Sequence, residues 1–236
     1  MKQILKKIAP ALIIALGLLG VGYGIKSGLK SFSEGNRQVS VRGLAERYVD
    51  ADRVTWPLVY TLVGNDLQSL YAGIGRDNDV IKSYLLKAGI EESEITVVAP
   101  EVTDRYANLY GSDRPANRYV AKSVVVVSSD KVKLINELIA NSAQLLNDGI
   151  ALDTNDYSNP TTYEFTGLND IKPEMIAEAT KSAREAADKF AADSHSKIGK
   201  IITASQGSFS IENRDSYTPY IKYVRVVTTI TYSLNN

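Results

Sequence analysis

Polarity along the chain is uneven from the start: residues 8–25 are 18 consecutive uncharged, mostly apolar positions, bracketed by Lys6 and Lys7 before and Lys26 after. At ~1.5 Å rise per residue a helix of that length reaches roughly 27 Å, close to the ~30 Å hydrocarbon core of a bilayer. Pro10 falls in the first turn, where a missing N–H costs little, and Tyr23 near the far end, where an amphipathic ring suits the interface. The pattern predicts one membrane-spanning anchor within residues 1–30. The competing reading is a cleaved export signal, for which Gly22-Tyr23-Gly24 is a weak cleavage candidate; the length of the run and the lysine after it favour an uncleaved anchor. The amino-terminal lysines favour a cytoplasmic amino end, so the carboxy-terminal body is expected to be exported, as in a single-pass protein of a bacterial inner membrane.

Residues 31–38 are small and polar and read as a tether, which leaves 39–236 as the body. There, 39–43 and 54–63 alternate or run apolar with β-branched and aromatic residues, as strands do. Pro57 cannot donate to a ladder, so its strand is expected at an edge or bulged. Asn65 supplies a cap for a helix over about 66–88, whose Leu67, Leu70, Tyr71, Ile74, Ile81 and Leu85 recur at helical spacing before Gly89.

A strand near 94–104, a turn at 111–115 and a long strand from Tyr119 follow. Ser128 and Ser129 then cap a second helix with Val132, Ile135, Leu138, Ile139 and Leu146 on one face and Gly149 as its stop. A third passage gives a strand at 161–165, a cap at Asn169-Asp170 and the longest helix, about 171–196 with Pro173 in its first turn. Its expected buried stripe is Met175, Ile176, Ala179, Ala183, Ala186 and Phe190. Strands at 200–211 and 220–233 close the chain. Hairpin-like strands interrupted by capped helices near 65, 129 and 169 indicate an α+β body of repeated ββα units, with antiparallel sheets and helices on one face.

Composition narrows the chemistry. Cysteine is absent and histidine occurs once, at His195, which removes disulfides, cysteine nucleophiles, thiolate metal sites and any site needing two histidines. Basic and acidic groups balance at 27 each, but residues 1–31 hold five lysines and no acid, so the body itself is acidic. Such a body is a poor nucleic-acid binder.

No catalytic, cofactor-binding or metal-binding residue emerges. His195 beside Asp193 and Ser194 is a helix-end histidine, since a catalytic triad is a matter of spatial geometry and neighbours on one helix do not face each other. Asp153, Asn155 and Asp156 suggest a calcium loop but lack the glycine and terminal glutamate at EF-hand spacing. Gly20, Gly22 and Gly24 lie inside the apolar run, and Gly73 and Gly75 lack the strand-to-helix setting of a nucleotide loop. Glu101 and Asp104 are carboxylates without a supporting spacing for acid–base work. Tyr106, Tyr110 and Tyr119 with Arg105, Arg114 and Arg118 form an aromatic-basic tip that suits a subunit contact or a ligand lip, and Trp56 is expected in the core.

The block Val39-Ser-Val-Arg-Gly-Leu-Ala-Glu-Arg47, the Trp56-Pro57 strand, Tyr119-Val-Ala-Lys-Ser-Val-Val-Val126 and Ala204-Ser-Gln-Gly-Ser-Phe-Ser210 together resemble the SIMPL-domain family of bacterial periplasmic and envelope proteins, over roughly 38–234. The resemblance implies an exported α+β domain able to form large homo-oligomeric rings, with no established catalytic residues and links to envelope or oxidative stress. The anchor at 8–25 departs from the secreted members. The expectation is therefore a non-enzymatic, membrane-anchored homo-oligomer, with an exported binding module for a small molecule or peptide as the alternative.

Overall fold

The computed structural model describes residues 16–26, 37–107, 114–154 and 156–235. Residues 16–26 form a helix, α1, with exposed side chains. Among the described residues no helix is long and apolar enough to cross a membrane; the span predicted over 8–25 falls partly on 8–15, which lie outside the described residues. The chain divides into two compact units, one of Met1–Arg47, Ile171–Ser210 and Arg225–Asn236, the other of Tyr48–Asp170 and Ile211–Val224.

The Tyr48–Asp170 unit is built on β2 (Arg53–Gly64) and β5 (Tyr119–Ser129), antiparallel from Val54 opposite Ser129 to Gly64 opposite Tyr119. β3 (Ile95–Val97) and β4 (Glu101–Asp104) share the far side of β5, and β6 (Thr162–Glu164) pairs with Arg53–Thr55. Alternation sends Val54, Trp56, Leu58 and Tyr60 to one face, where Val125, Val127, Ile81, Leu85, Ile135 and Leu145 join them in the core. That face is covered by α2 (Leu67–Lys87), α3 (Val132–Ala140) and α4 (Gln144–Asn147). One polar knot lies within it: the Tyr60 hydroxyl donates to Asn78 Oδ1 at 2.9 Å, and Ser123 Oγ donates to the same oxygen at 3.2 Å.

The remaining elements are β1 (Gln38–Asp50), α5 (Leu168–Asp193), β7 (Lys197–Gln206), β8 (Ser210–Asn213) and β9 (Ile221–Asn235). Their sheet runs β1-β9-β7, with β8 also on β9. In the unit containing Arg47, α5 lies on this sheet through Met175, Ala179, Ala183, Ala187 and Ala191, all buried. Small side chains four apart let backbones approach closely. A Cβ on Gly43 of β1 would stand 1.9 Å from the Ala179 carbonyl oxygen and 2.3 Å from Ala183 N, so only glycine fits there.

Several expectations are corrected. Asp66, not Asn65, caps α2, accepting from Ser69 N at 2.8 Å, while Asn65 ties Arg118 N and the Ala116 carbonyl. The single second helix is two, α3 and α4, and Leu146 is 59% exposed while Leu145 takes the buried place. The strand expected over 94–104 is two short ones. α5 starts at Leu168, before Pro173, and just ahead of it the remote Asp52 carboxylate accepts from Thr166 N (2.8 Å) and Gly167 N (2.9 Å). Phe190 is 62% exposed; strict four-residue spacing brings Ala187 and Ala191 to the sheet instead. β1 and β2 join different sheets and α5 follows the single strand β6, so the helices do not close three equal ββα repeats.

Candidate functional site

Pro57 organises the first candidate site. β2 pairs with β5 along its whole length, so the missing N–H must point to the other side. There the ladder to β6 stops at Thr55 opposite Thr162 and pairing returns only at the bridge between Tyr60 and Leu152, where the Asp153 N–H donates to the Val59 carbonyl at 2.7 Å. Residues two apart on a strand direct their backbone groups to the same side, so Pro57 presents a carbonyl, and no N–H, to this gap. The strand expected at an edge or bulged is thus internal to the sheet with an interrupted outer ladder.

Beside this gap lies a cleft of about 380 Å³ lined by Trp56, Leu58, Ile139, Leu152, Asp153 and Asp156 among others. Asp156 is held from three directions: it pairs with Lys122 on β5, accepts from Asn159 Nδ2 at 2.7 Å and from Ser158 N at 3.0 Å. The Lys122 ammonium foremost, then Asn159 and Ser158, bring its carboxyl down to about 2. The Asp153, Asn155 and Asp156 cluster read from the sequence is in this way a turn stapled to the sheet; Asn155 lies outside the described residues. Trp56 is buried, as expected.

At the aromatic-basic tip, Arg114 and Arg118 stand over the Tyr106 ring at 5.5 and 5.7 Å from its centroid, and Arg118 also over Tyr119 at 4.8 Å. Arg118 grips Asp104 through Nη2 at 2.7 Å, and the hydrogen bond from this guanidinium holds the Asp104 carboxyl below the usual carboxylate range. Tyr106 donates its hydroxyl to the Pro115 carbonyl at 3.1 Å. Tyr110 lies outside the described residues. Asp104 is therefore engaged with Arg118, and Glu101 stands opposite Lys122 on the neighbouring strand, three residues from Asp104.

His195 is exposed at the end of α5 with φ of 53°, its N–H donating to the Ala192 carbonyl at 3.0 Å. This is the left-handed residue that closes a helix. A Cβ on Gly73 would meet Leu62 Cδ1 at 3.2 Å, which makes Gly73 a packing point of α2 on β2, whereas one on Gly20, Gly22, Gly24 or Gly75 would meet nothing within 4 Å. Among the described residues no group of three or more His, Asp or Glu is placed to hold a metal ion.

A further surface gave no signal in the sequence. β7 pairs with β9 on one side, from Thr203 opposite Thr231 to Gln206 opposite Thr228, and among the described residues no strand pairs with its other side. Every residue from Lys200 to Gln206 is exposed, Ile201 at 54% and Ile202 at 48%. A β-branched strand reads as half-buried in sequence, which is why this open one escaped notice.

Comparison with curated proteins finds no match for the chain. A model of the SIMPL family, described as a protein of unknown function (DUF541), matches residues 39–228, beginning where the body was expected to begin and taking in the Gly43 approach, the Pro57 gap and most of β9. The chain belongs to the SIMPL family.

Proposed function

We propose that this chain is a membrane-anchored protein of the bacterial envelope, not an enzyme, whose exported SIMPL domain self-associates in a role tied to envelope or oxidative stress. The observation that carries self-association is the open side of β7, where unpaired backbone groups and two exposed isoleucines offer a surface that a strand from a second copy would complete. The apolar run at 8–25 supports the anchor, with residues 39–236 exported. Light scattering of the detergent-solubilised full chain should give a mass above one protomer, and Ile202→Lys, at an exposed position that leaves the core untouched, should lower it. A strictly monomeric unaltered chain removes the reading. Protease digestion of the body in spheroplasts, but not in intact cells, tests its export.

A second reading, an exported binding module, is favoured by the two guanidiniums near the Tyr106 ring. It expects Tyr106→Ala to abolish a thermal shift caused by an envelope metabolite.

A further inference from the structure

We propose that Tyr48 and Tyr223 are a site of oxidative cross-linking, at which a one-electron oxidant joins the two rings as dityrosine and ties β1 to β9 by a covalent bond. Ala51 N donates to the Tyr220 carbonyl at 2.7 Å. Counting back three residues along β1 from that hydrogen-bonded pair sets Tyr48 opposite Tyr223, at a position between hydrogen bonds where opposed side chains stand closest. Their ring centroids are 5.3 Å apart, with the planes tilted by 37°. Lys222 and Val224 on either side of Tyr223 are buried, so the tyrosine pair lies on the other face of β9, and there Tyr48 is 62% exposed.

Two comparisons narrow oxidation to this pair. Other readily oxidised side chains are missing or covered, since cysteine is absent and Met175 and Trp56 are buried. Tyr23, Tyr71, Tyr157 and Tyr217 are exposed as well, but among the described residues no second tyrosine ring lies against any of them. Tyr163 and Tyr220 do meet, edge to face at 6.1 Å, and both are half-buried. Among the described residues Tyr48 alone is both open to an oxidant in solution and already beside a partner ring, which replaces a collision between two molecules by an encounter within one.

In the reaction each phenol gives up one electron and its hydroxyl proton. The two phenoxyl radicals bond through the ring carbons beside their oxygens, and the hydrogen on each of these carbons moves to oxygen to restore the phenol. Two electrons and two protons leave in all, and hydrogen peroxide, acting through a haem peroxidase, takes them up to become two molecules of water. Coupling is at carbon and both hydroxyls are regained, so it does not require Tyr223 to be free of its other interaction. The bond would restrain the unfolded state as a disulfide does, in a chain that has no cysteine to form one.

The test treats the full chain, dilute and in a neutral detergent, with a haem peroxidase and hydrogen peroxide. Dityrosine fluorescence is expected in the single-chain band of a denaturing gel. Trypsin should release segments 48–53 and 223–225, each with one tyrosine, joined at their summed mass less two hydrogens. Tyr48→Phe should lose most of that fluorescence, and Tyr157→Phe, at an exposed tyrosine with no ring neighbour, should keep it. No dityrosine, cross-links that join only other tyrosines or separate chains, or undiminished fluorescence in Tyr48→Phe would overturn the proposal. The mass assignment is made on the unaltered chain, so it decides even where a variant fails to fold.

Discussion

Replacing Gly43 with alanine adds a single methyl group at the tightest approach of β1 to α5. That carbon would lie 1.9 Å from the Ala179 carbonyl oxygen, against an ordinary carbon–oxygen contact of about 3.3 Å, so roughly 1.4 Å of separation has to open. Neither partner gives easily. The two nearest atoms are helix backbone, and the alanine face that would lift away runs the length of α5 from Met175 to Ala191. A gap of 0.5–1 Å already forfeits about a quarter to a half of each contact's dispersion energy, and overpacking of this kind costs about 1–3 kcal/mol or more. For a body of this size that is about 2–12 °C of melting temperature, read by circular dichroism of the purified chain. Ala183→Gly should not rescue the variant, because the Ala179 oxygen and Ala183 N remain. A Gly43→Ala protein melting within about 1 °C of the unaltered chain would refute the close approach.

Three further outcomes follow from the geometry. Asp156 has a carboxyl held at about 2, below its unfolded value of about 4, so its contribution is complete above pH ~4 and fades as pH falls toward 2; Asp156→Asn should flatten the fall of the urea midpoint across that window, and an unchanged slope counts against the Lys122 staple. Thr228 Oγ1 is buried without a hydrogen-bond partner, so Thr228→Val should leave stability unchanged or raise it by about 1 kcal/mol in urea melts, and a clear loss would reveal a partner. Asp52→Ala removes the acceptor for two N–H groups at the start of α5 and should cost about 1–2 kcal/mol, with amide exchange accelerated at Thr166 and Gly167.

Much of this architecture is local and therefore readable in the sequence. The alternation in β2 and β5, the helical spacing of Leu70, Ile74, Ile81 and Leu85, and the glycine stops at Gly89 and Gly149, with φ of 96° and 85°, each act within a few residues. What stayed hidden depends on partners far away. Asp52 accepts from Gly167 N, 115 residues on and just ahead of α5, which no window near Asn169 discloses. Phe190 matches an amphipathic period, yet the four-residue alanine ladder determines which side meets the sheet. Pro57 announced an interruption, but whether it fell at an outer edge or inside the sheet was decided by the length of β6. The cleft followed from that length as well, since it exists only where β6 ends and the Leu152 bridge begins.

The pairing of β1 with β9 carries a consequence for biogenesis. Leu234 donates its N–H to the Arg37 carbonyl at 2.9 Å, and Thr231 and Ser40 join hydroxyls at 3.2 Å, so the earliest strand waits for one of the latest. While the ribosome is still producing the intervening residues, β1 has no neighbour and the sheet against α5 cannot close. This sheet stays unfinished until β9 is made. Cutting the chain short before Thr231 would leave the start of β1, residues 38–40, with a bare flank, exposed to proteases and to other unfinished chains.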